Sequence, residues 1–159
     1  MKTLKLSLLL LLVAFISFGS AEVFAQPALR GKANRVLRRT NVVILVAHKS
    51  VKEGKVYTGE LARSIAHQKY ARILFRRGMY LRAIHHSRRA RLLAVIAIKA
   101  NKGSEVNEAK MTTEEEELMK NSPSDEELEQ ELLKELPNEK MKDEDVIGAE
   151  PDVDLQEKK

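Results

Sequence analysis

Small and apolar residues recur every three or four positions between residues 32 and 101, the spacing that places side chains on one face of an α-helix. Four glycines interrupt this pattern at intervals suited to helices of about 20 residues. They are Gly31, Gly54, Gly78 and Gly103. The pattern therefore predicts three consecutive helices, at about 32–52, 58–77 and 79–101.

One face of each predicted helix is expected to be buried. In the first helix this stripe is Val36, Thr40, Val43, Ala47 and Val51. In the second it is Ala62, Ala66, Tyr70, Ile73 and Leu74, with Thr58 as the expected N-cap. In the third it is Tyr80, Ala83, Ser87, Ala90, Ala94 and Ile98. Residues 92–98 are apolar almost all round, which predicts a central position for this part of the third helix. The β-branched run 42–44 also suits a strand, although no second strand is available to pair with it.

Small and apolar residues around the predicted turn at Gly78 follow a recognisable spacing. They are Ala71, Leu74, Gly78, Tyr80, Ala83, Ile84 and Ala90. With this spacing the stretch 66–91 resembles the core of a tetratricopeptide-type helix–turn–helix unit. Further units at a period of about 34 residues are missing, so the resemblance supports an αα-hairpin and does not establish a peptide-binding solenoid.

Beyond Gly103 the apolar content falls and glutamate dominates, which favours disorder. Thr112 or Thr113 precedes a first short helical signal. Ser124 and Glu127 have the spacing of a capping box and predict a short amphipathic helix at about 125–136. Its apolar edge consists of Leu128, Leu132, Leu133 and Leu136. No fixed structure is expected from residue 138 to residue 159.

Together these patterns predict an all-α protein: a small antiparallel helical hairpin or three-helix bundle, followed by an acidic, mostly disordered tail. The expected divisions are a signal peptide at 1–25, a basic helical domain at 26–103 and an acidic low-complexity tail at 104–159. The basic domain is near the lower size limit for an independent core, so a partner or the tail is expected to help stabilise it.

The N-terminal 25 residues have the organisation of a cleavable signal peptide. Lys2 and Lys5 precede an apolar run over residues 6–19, and Val23 and Ala25 supply small side chains before the expected cleavage site. The sequence therefore predicts export to the periplasm or the exterior, with an uncleaved signal anchor as the alternative. No later stretch approaches the roughly 20 apolar residues of a membrane span. The chain has no cysteine, so no disulfide can stabilise it.

The two predicted halves carry opposite charge. Residues 26–103 contain 19 Lys and Arg against two Glu, a net charge of +17, whereas residues 104–159 have a net charge of −13. This asymmetry predicts a polyanion-binding surface, contact between the two halves, or both. The candidate polyanion-binding residues are Lys69, Arg72, Arg76, Arg82, Arg88 and Arg89. Nucleic acid is the least favoured anion, because stacking aromatics are few, no known motif is present and the expected compartment is wrong.

Residues with catalytic potential are scarce. The basic half has no Asp or Cys, and its only acids are Glu53 and Glu60, so paired carboxylates and thiol chemistry are absent and no enzyme or cofactor is predicted. Four histidines remain as possible metal ligands: His48, His67, His85 and His86. Adjacent histidines on a helix point about 100° apart, and the many arginines would repel a cation, so no metal site is assigned.

The leading hypothesis is an exported, non-enzymatic interaction protein. Its basic helical surface would bind an anionic envelope component or an acidic protein, and its own acidic tail would mask that surface. A first alternative is a structural module that forms homo-oligomers or docks through its Ala-rich stripe, without a polyanion ligand. A second alternative is a histidine-based metal binder.

Overall fold

The computed structural model describes residues 20–104, 106–149 and 151, with side chains from residue 27 onward. The predicted signal peptide at 1–25 therefore lies outside the described residues, apart from the helical backbone of its last six positions. The end of the predicted tail, 152–159, also lies outside them.

Within the described residues, three long helices are followed by four short ones. The long helices are α1 (Ser20–Gly54), α2 (Glu60–Arg76) and α3 (Tyr80–Ala100). The short ones are a 3₁₀ turn (Asn107–Ala109), α4 (Thr113–Met119), α5 (Asp125–Glu135) and α6 (Asp143–Val146). The predicted all-α bundle is confirmed, and residues 42–44, for which a strand was the alternative, lie within α1. Among the described residues no helix has the length and apolarity needed to cross a membrane.

Helices α2 and α3 form the αα-hairpin that the resemblance implied. Gly78 lies in the turn with a φ of 79°, a left-handed conformation that a side chain would strain. Small residues then let the two helices approach closely. The hydroxyl of Ser64 donates to the carbonyl of Ala90 at 2.7 Å, which a larger residue at either position would prevent.

Helix α1 packs against this hairpin through the stripe that its sequence predicts. All five residues of that stripe are buried, and Thr40 accepts a hydrogen bond from the Ser87 hydroxyl at 3.0 Å. Ile44 and Ala47 pack against Leu61 of α2 and Ala94 of α3 in the main core cluster. The 3.6-residue periodicity of α1 therefore identifies its inner face correctly.

The prediction that residues 92–98 are central is wrong for Leu92 and Ile96, whose relative exposures are 44 % and 47 %. Both lie one turn apart on the side of α3 that faces neither α1 nor α2. The Ala-rich stripe of α3, by contrast, lies inside the bundle, where Ala83, Ala90 and Ala94 are fully buried. In this arrangement the stripe packs within the core clusters of the bundle.

The N-terminus of α2 is not capped by Thr58 as expected. Gly59 takes the N-cap position in the left-handed region, with φ 86°, and no side chain of the local sequence caps the helix. The carboxylate of Asp143 accepts hydrogen bonds from the backbone N–H groups of Thr58, Gly59 and Ala62, at 3.0, 2.9 and 2.9 Å. A residue of the acidic half thus supplies this cap, and it is fully buried in doing so.

Residues 106–149, called the acidic segment below, wrap around the bundle. Helix α5 is confirmed, and Ser124 and Glu127 form both hydrogen bonds of its capping box. Thr112 and Glu115 form a second capping box at α4. The expectation of no fixed structure beyond residue 138 is wrong up to residue 149, since α6 and its buried Asp143 lie there. Contacts with the basic helices provide the burial and counter-charge that the isolated sequence lacks.

Candidate functional site: the cationic face of α2 and α3

Helix α5 lies in the groove between α2 and α3. Leu128 and Leu132 are buried there, whereas Leu133 on the next position is 47 % exposed. Leu132 belongs to a core cluster with Tyr70 of α2 and Ala83 of α3. The groove therefore buries two leucines that lie one helical turn apart, each at an apolar position.

Charged and polar side chains of the bundle border this groove. They are Arg63, His67, Tyr70, Arg82, His86 and Arg89, and together they are called the α2–α3 face below. They combine three guanidinium groups with three side chains that donate or accept neutral hydrogen bonds. The face therefore suits anionic groups that are carried on an apolar support.

On the α2 side, Glu129 is the counter-ion. Arg63 donates to its two oxygens at 3.3 and 2.8 Å, and His67 Nε2 lies 3.1 Å from the second oxygen. Burial alone would raise the pKa of Glu129, but the hydrogen bonds from Arg63 and His67 hold it below its usual range. This carboxylate therefore remains ionised at neutral pH.

On the α3 side, Glu131 has the equivalent role. Arg82 donates to one of its oxygens through Nε at 2.6 Å and also through Nη2, and the Tyr70 hydroxyl donates to the other oxygen at 3.0 Å. Burial and this hydrogen bond raise the pKa of Tyr70 to about 12, so the hydroxyl keeps its proton. Near the N-terminus of α5, Asp125 accepts from Arg89 at 2.6 Å.

Two fully buried histidines form the floor of the face. His67 Nδ1 and His86 Nδ1 are 3.0 Å apart, so one of these nitrogens must carry the proton. A carboxylate only accepts, so the contact with Glu129 requires a proton on His67 Nε2. In the neutral pair, His86 therefore donates from Nδ1 to His67 Nδ1, and His86 Nε2 is the nitrogen without a proton.

Glu131 lies farther from the histidine pair than Glu129 does. Its carboxylate is 3.5 Å from His86 Nε2, and that nitrogen has no hydrogen-bond partner among the described residues. Burial, together with the neighbouring His67, lowers the pKa of His86 to about 4, and burial also lowers the pKa of His67. The pair is therefore uncharged at neutral pH while it contacts two ionised glutamates.

A second group of contacts holds α4 against α1 and α3. Arg91 is fully buried and makes a bidentate ion pair with Glu115, at 2.8 and 3.1 Å. It also donates to Thr40 Oγ1 and to the carbonyl of Val36, both at 3.1 Å. Arg39 adds a longer contact to Glu115, at 3.4 Å. This buried ion pair therefore has its remaining donors satisfied, as a stable geometry requires.

Arg88 lies close to this ion pair but is not part of it. Only 5 % of its surface is exposed, and its Nε and Nη1 atoms have no acceptor among the described residues. Burial and the nearby charge of Arg91 lower the pKa of Arg88 to about 10. Arg88 is therefore a buried cation without a matched anion.

The structure places the six predicted polyanion-binding residues in different environments. Lys69, Arg82 and Arg89 are paired with Glu139, Glu131 and Asp125 of the acidic segment. Arg72 is half-buried and Arg76 is exposed, both on α2, while Arg88 is buried as described. Three of the six residues predicted to form a cationic surface thus contact the protein's own acids.

Several cations that contact the acidic segment were missed by the sequence reasoning. They are Lys32, Arg35, Arg39, Arg63, Arg77 and Arg91. Their partners lie 24 residues or more away along the chain, as for Arg91 and Glu115, and no local spacing reveals such a pair. The excess of positive charge in α1–α3 was the one signal that could indicate them.

The histidines do not assemble the metal site that was considered as an alternative. His67 and His86 do meet, as the antiparallel hairpin predicts, but their outer nitrogens point to glutamates. His85 Nε2 instead lies 3.2 Å from the carbonyl of Leu118. The described part of the chain contains no group of three or more His, Asp or Glu side chains arranged to hold a metal ion.

Comparison with known proteins adds no relative to this description. No family model matches the chain, and neither a curated protein nor a solved structure is significantly similar to it.

Proposed function

We propose that this protein is a non-enzymatic interaction protein that binds an anionic partner through the α2–α3 face, and that the acidic segment covers this face. One observation carries the proposal: three carboxylates of α5 form ion pairs with the three arginines of the face, as the carboxylates of an anionic ligand would. Arg63 pairs with Glu129, Arg82 with Glu131, and Arg89 with Asp125.

The strength of these contacts is compatible with exchange. Each of the three pairs has at least one partly exposed partner, and such pairs contribute about 0–1 kcal/mol each. The two buried leucines of α5 contribute more, at roughly 1.5–3 kcal/mol for each side chain. A partner that offers the same groups can therefore compete with α5, and added salt should weaken the charged part of either interaction.

The predicted signal peptide favours a partner outside the cytoplasm, where an anionic envelope component or an acidic protein would be available. The net charge of +17 over residues 26–103 exceeds the −13 of residues 104–159, so the covered protein retains an attraction for anions. Release of the acidic segment would strengthen that attraction.

The proposal can be tested in the full-length protein by neutralising the acids of α5 that contact the face while its leucines are kept. The variant Asp125→Asn/Glu129→Gln/Glu131→Gln should be retained on immobilised heparin to a higher salt concentration than the wild type. The matched control neutralises three exposed acids that have no described ion pair. It is Glu116→Gln/Glu126→Gln/Glu144→Gln.

Both triple variants lose the same formal charge, so a general electrostatic effect would raise their retention equally. Greater retention of the first variant alone supports a covered binding face. Equal retention of the two variants would rule out the masking role of α5. Circular dichroism of each variant ensures that only folded protein is compared.

A further inference from the structure

We infer that the partner of the α2–α3 face is an acidic amphipathic α-helix of another protein, which displaces α5. This inference rests on the proposed function and names the class of anion that the face recognises. The partner helix would present two leucines one turn apart, with one carboxylate on each side of the leucine stripe.

The first argument is the apolar part of the groove. Leu132 is fully buried in a cluster that includes Ala66, Tyr70, Leu74 and Ala83. Leu128 is also buried, one turn earlier on the same side of α5. A phosphate head group or a sulfated glycan would satisfy the arginines but would leave these positions without an apolar occupant.

The second argument is the placement of charge around that stripe. At 100° per residue, Glu129 and Glu131 project about 80° to either side of the mean direction of Leu128 and Leu132. Glu129 consequently reaches Arg63 on α2, and Glu131 reaches Arg82 on α3. Two carboxylates that straddle a pair of leucines in this way require a helical ligand.

The third argument is the chemistry of the donors. Besides its arginine, each carboxylate has one neutral donor: His67 Nε2 for Glu129, at 3.1 Å, and the Tyr70 hydroxyl for Glu131, at 3.0 Å. Such directed neutral donors recognise the position of a carboxylate in addition to its charge. The face therefore distinguishes a helix with correctly spaced acids from an anionic polymer of equal charge.

Because α5 is covalently joined to the bundle, a partner needs a high affinity to displace it. A segment joined by a short linker acts at an effective concentration of about millimolar, so it weakens the binding of any competitor by a large factor. Disabling α5 should therefore reveal binding that the wild-type protein suppresses. A peptide with the sequence of α5 provides a probe of known complementarity.

The test uses a full-length variant with a disabled cover, Leu128→Ala/Glu129→Gln/Glu131→Gln/Leu132→Ala. The probe is a fluorescently labelled synthetic peptide with the natural sequence of residues 122–138, followed by anisotropy. We expect this peptide to bind the variant at least tenfold more tightly than it binds the wild type. The same peptide with Leu128 and Leu132 replaced by alanine has identical charge and should bind at least tenfold more weakly.

A charge exchange tests the predicted register. Adding Arg82→Glu to the variant should lower its affinity for the natural peptide at least tenfold. A peptide with Glu131→Arg should bind this variant with most of the lost affinity restored. The control is Arg76→Glu, an exposed position on α2 that has no described contact with α5. If the quadruple variant does not fold, Glu129→Gln/Glu131→Gln with both leucines retained serves as the disabled form.

The possible outcomes separate the inference from the proposed function. Heparin or anionic-vesicle binding by the variant, without peptide binding or without dependence on the leucines, overturns the helix inference and leaves the proposed function standing. Loss of all three kinds of binding overturns both. Exchange of α5 between copies, detected as a concentration-dependent dimer of the wild type that the peptide does not dissociate, also overturns the inference.

Discussion

The carboxylate of Asp143 accepts a hydrogen bond from the backbone N–H of Ala62, 81 residues earlier in the chain, at 2.9 Å. The same carboxylate caps two further N–H groups at the start of α2. An acid at this position also interacts favourably with the positive end of the helix dipole. The acidic segment is thus bound at a helix end in addition to its ion pairs.

Replacing Asp143 by alanine should destabilise the protein by about 1–3 kcal/mol, because a cap is lost and buried N–H groups are left unsatisfied. Urea unfolding followed by circular dichroism would measure the change. Asp145→Ala, an exposed substitution on the same short helix, should have an effect within about 0.5 kcal/mol. Similar losses in the two variants would contradict the capping role.

The two buried arginines of α3 should respond in opposite ways to replacement by methionine. Arg91→Met strands the buried carboxylate of Glu115 and should cost about 3–5 kcal/mol. Arg88→Met removes a buried cation whose Nε and Nη1 have no acceptor, and should be neutral within about 1 kcal/mol or stabilising. Urea midpoints of the two variants and the wild type provide the comparison, and a large loss at Arg88 would show that it has an unrecognised acceptor.

Replacing either of two adjacent leucines of α5 by alanine should have very different effects on the docking of this helix. Leu132→Ala should cost about 2–5 kcal/mol of docking free energy, because its side chain is fully buried between α2 and α3. Leu133→Ala removes an exposed side chain and should change stability by less than about 0.5 kcal/mol. Hydrogen exchange of the α5 amides would report the docking equilibrium, and equal protection in both variants would contradict the described register.

The free energy of unfolding should decrease as the pH falls from about 6.5 towards 4. Burial, together with the neighbouring His67, lowers the pKa of His86 from 6.5 to about 4 in the folded protein, so the unfolded chain takes up this proton first and is favoured by acid. Glu129 and Glu131 act in the same direction at lower pH. Their pKa values are also lowered, and the stability they provide is present above 4.5 and is lost as the pH falls through these lowered values.

For His86 alone the linked change in the free energy of unfolding is on the order of 3 kcal/mol over this range, from the difference between 6.5 and about 4. Amide exchange in α5, or the urea midpoint, would be measured at intervals between pH 7.5 and pH 4. His86→Asn should flatten the upper part of the profile, because its amide nitrogen can replace Nδ1 as the donor to His67 Nδ1 without titrating. An unchanged profile in this variant would exclude His86 as the responsible group.

Local patterns predicted the parts of the fold that depend on local physics. The buried stripe of α1 follows from the spacing of residues such as Val36 and Val43, because one face of a helix must meet the core. The start of α5 follows from Ser124 and Glu127, since a capping box is made within four consecutive residues. Charge asymmetry likewise indicated that the two halves could meet.

The order of the acidic segment could not be predicted in this way. Glu129 and Glu131 are two among many acids in this stretch of the sequence, and only the folded hairpin brings Arg63 and Arg82 to opposite sides of them. Asp143 similarly replaces the expected cap at Thr58 from 85 residues away. These contacts depend on the tertiary arrangement, so composition alone suggested disorder where pairing provides order.

The cap on α2 also imposes an order of assembly. A growing chain that has reached the end of α3 already contains every residue of the bundle, yet the turn before Glu60 still lacks its acceptor. Asp143 is added 43 residues after Ala100. The hairpin can therefore form early, whereas the binding face stays open until α5 has been added and closes over it.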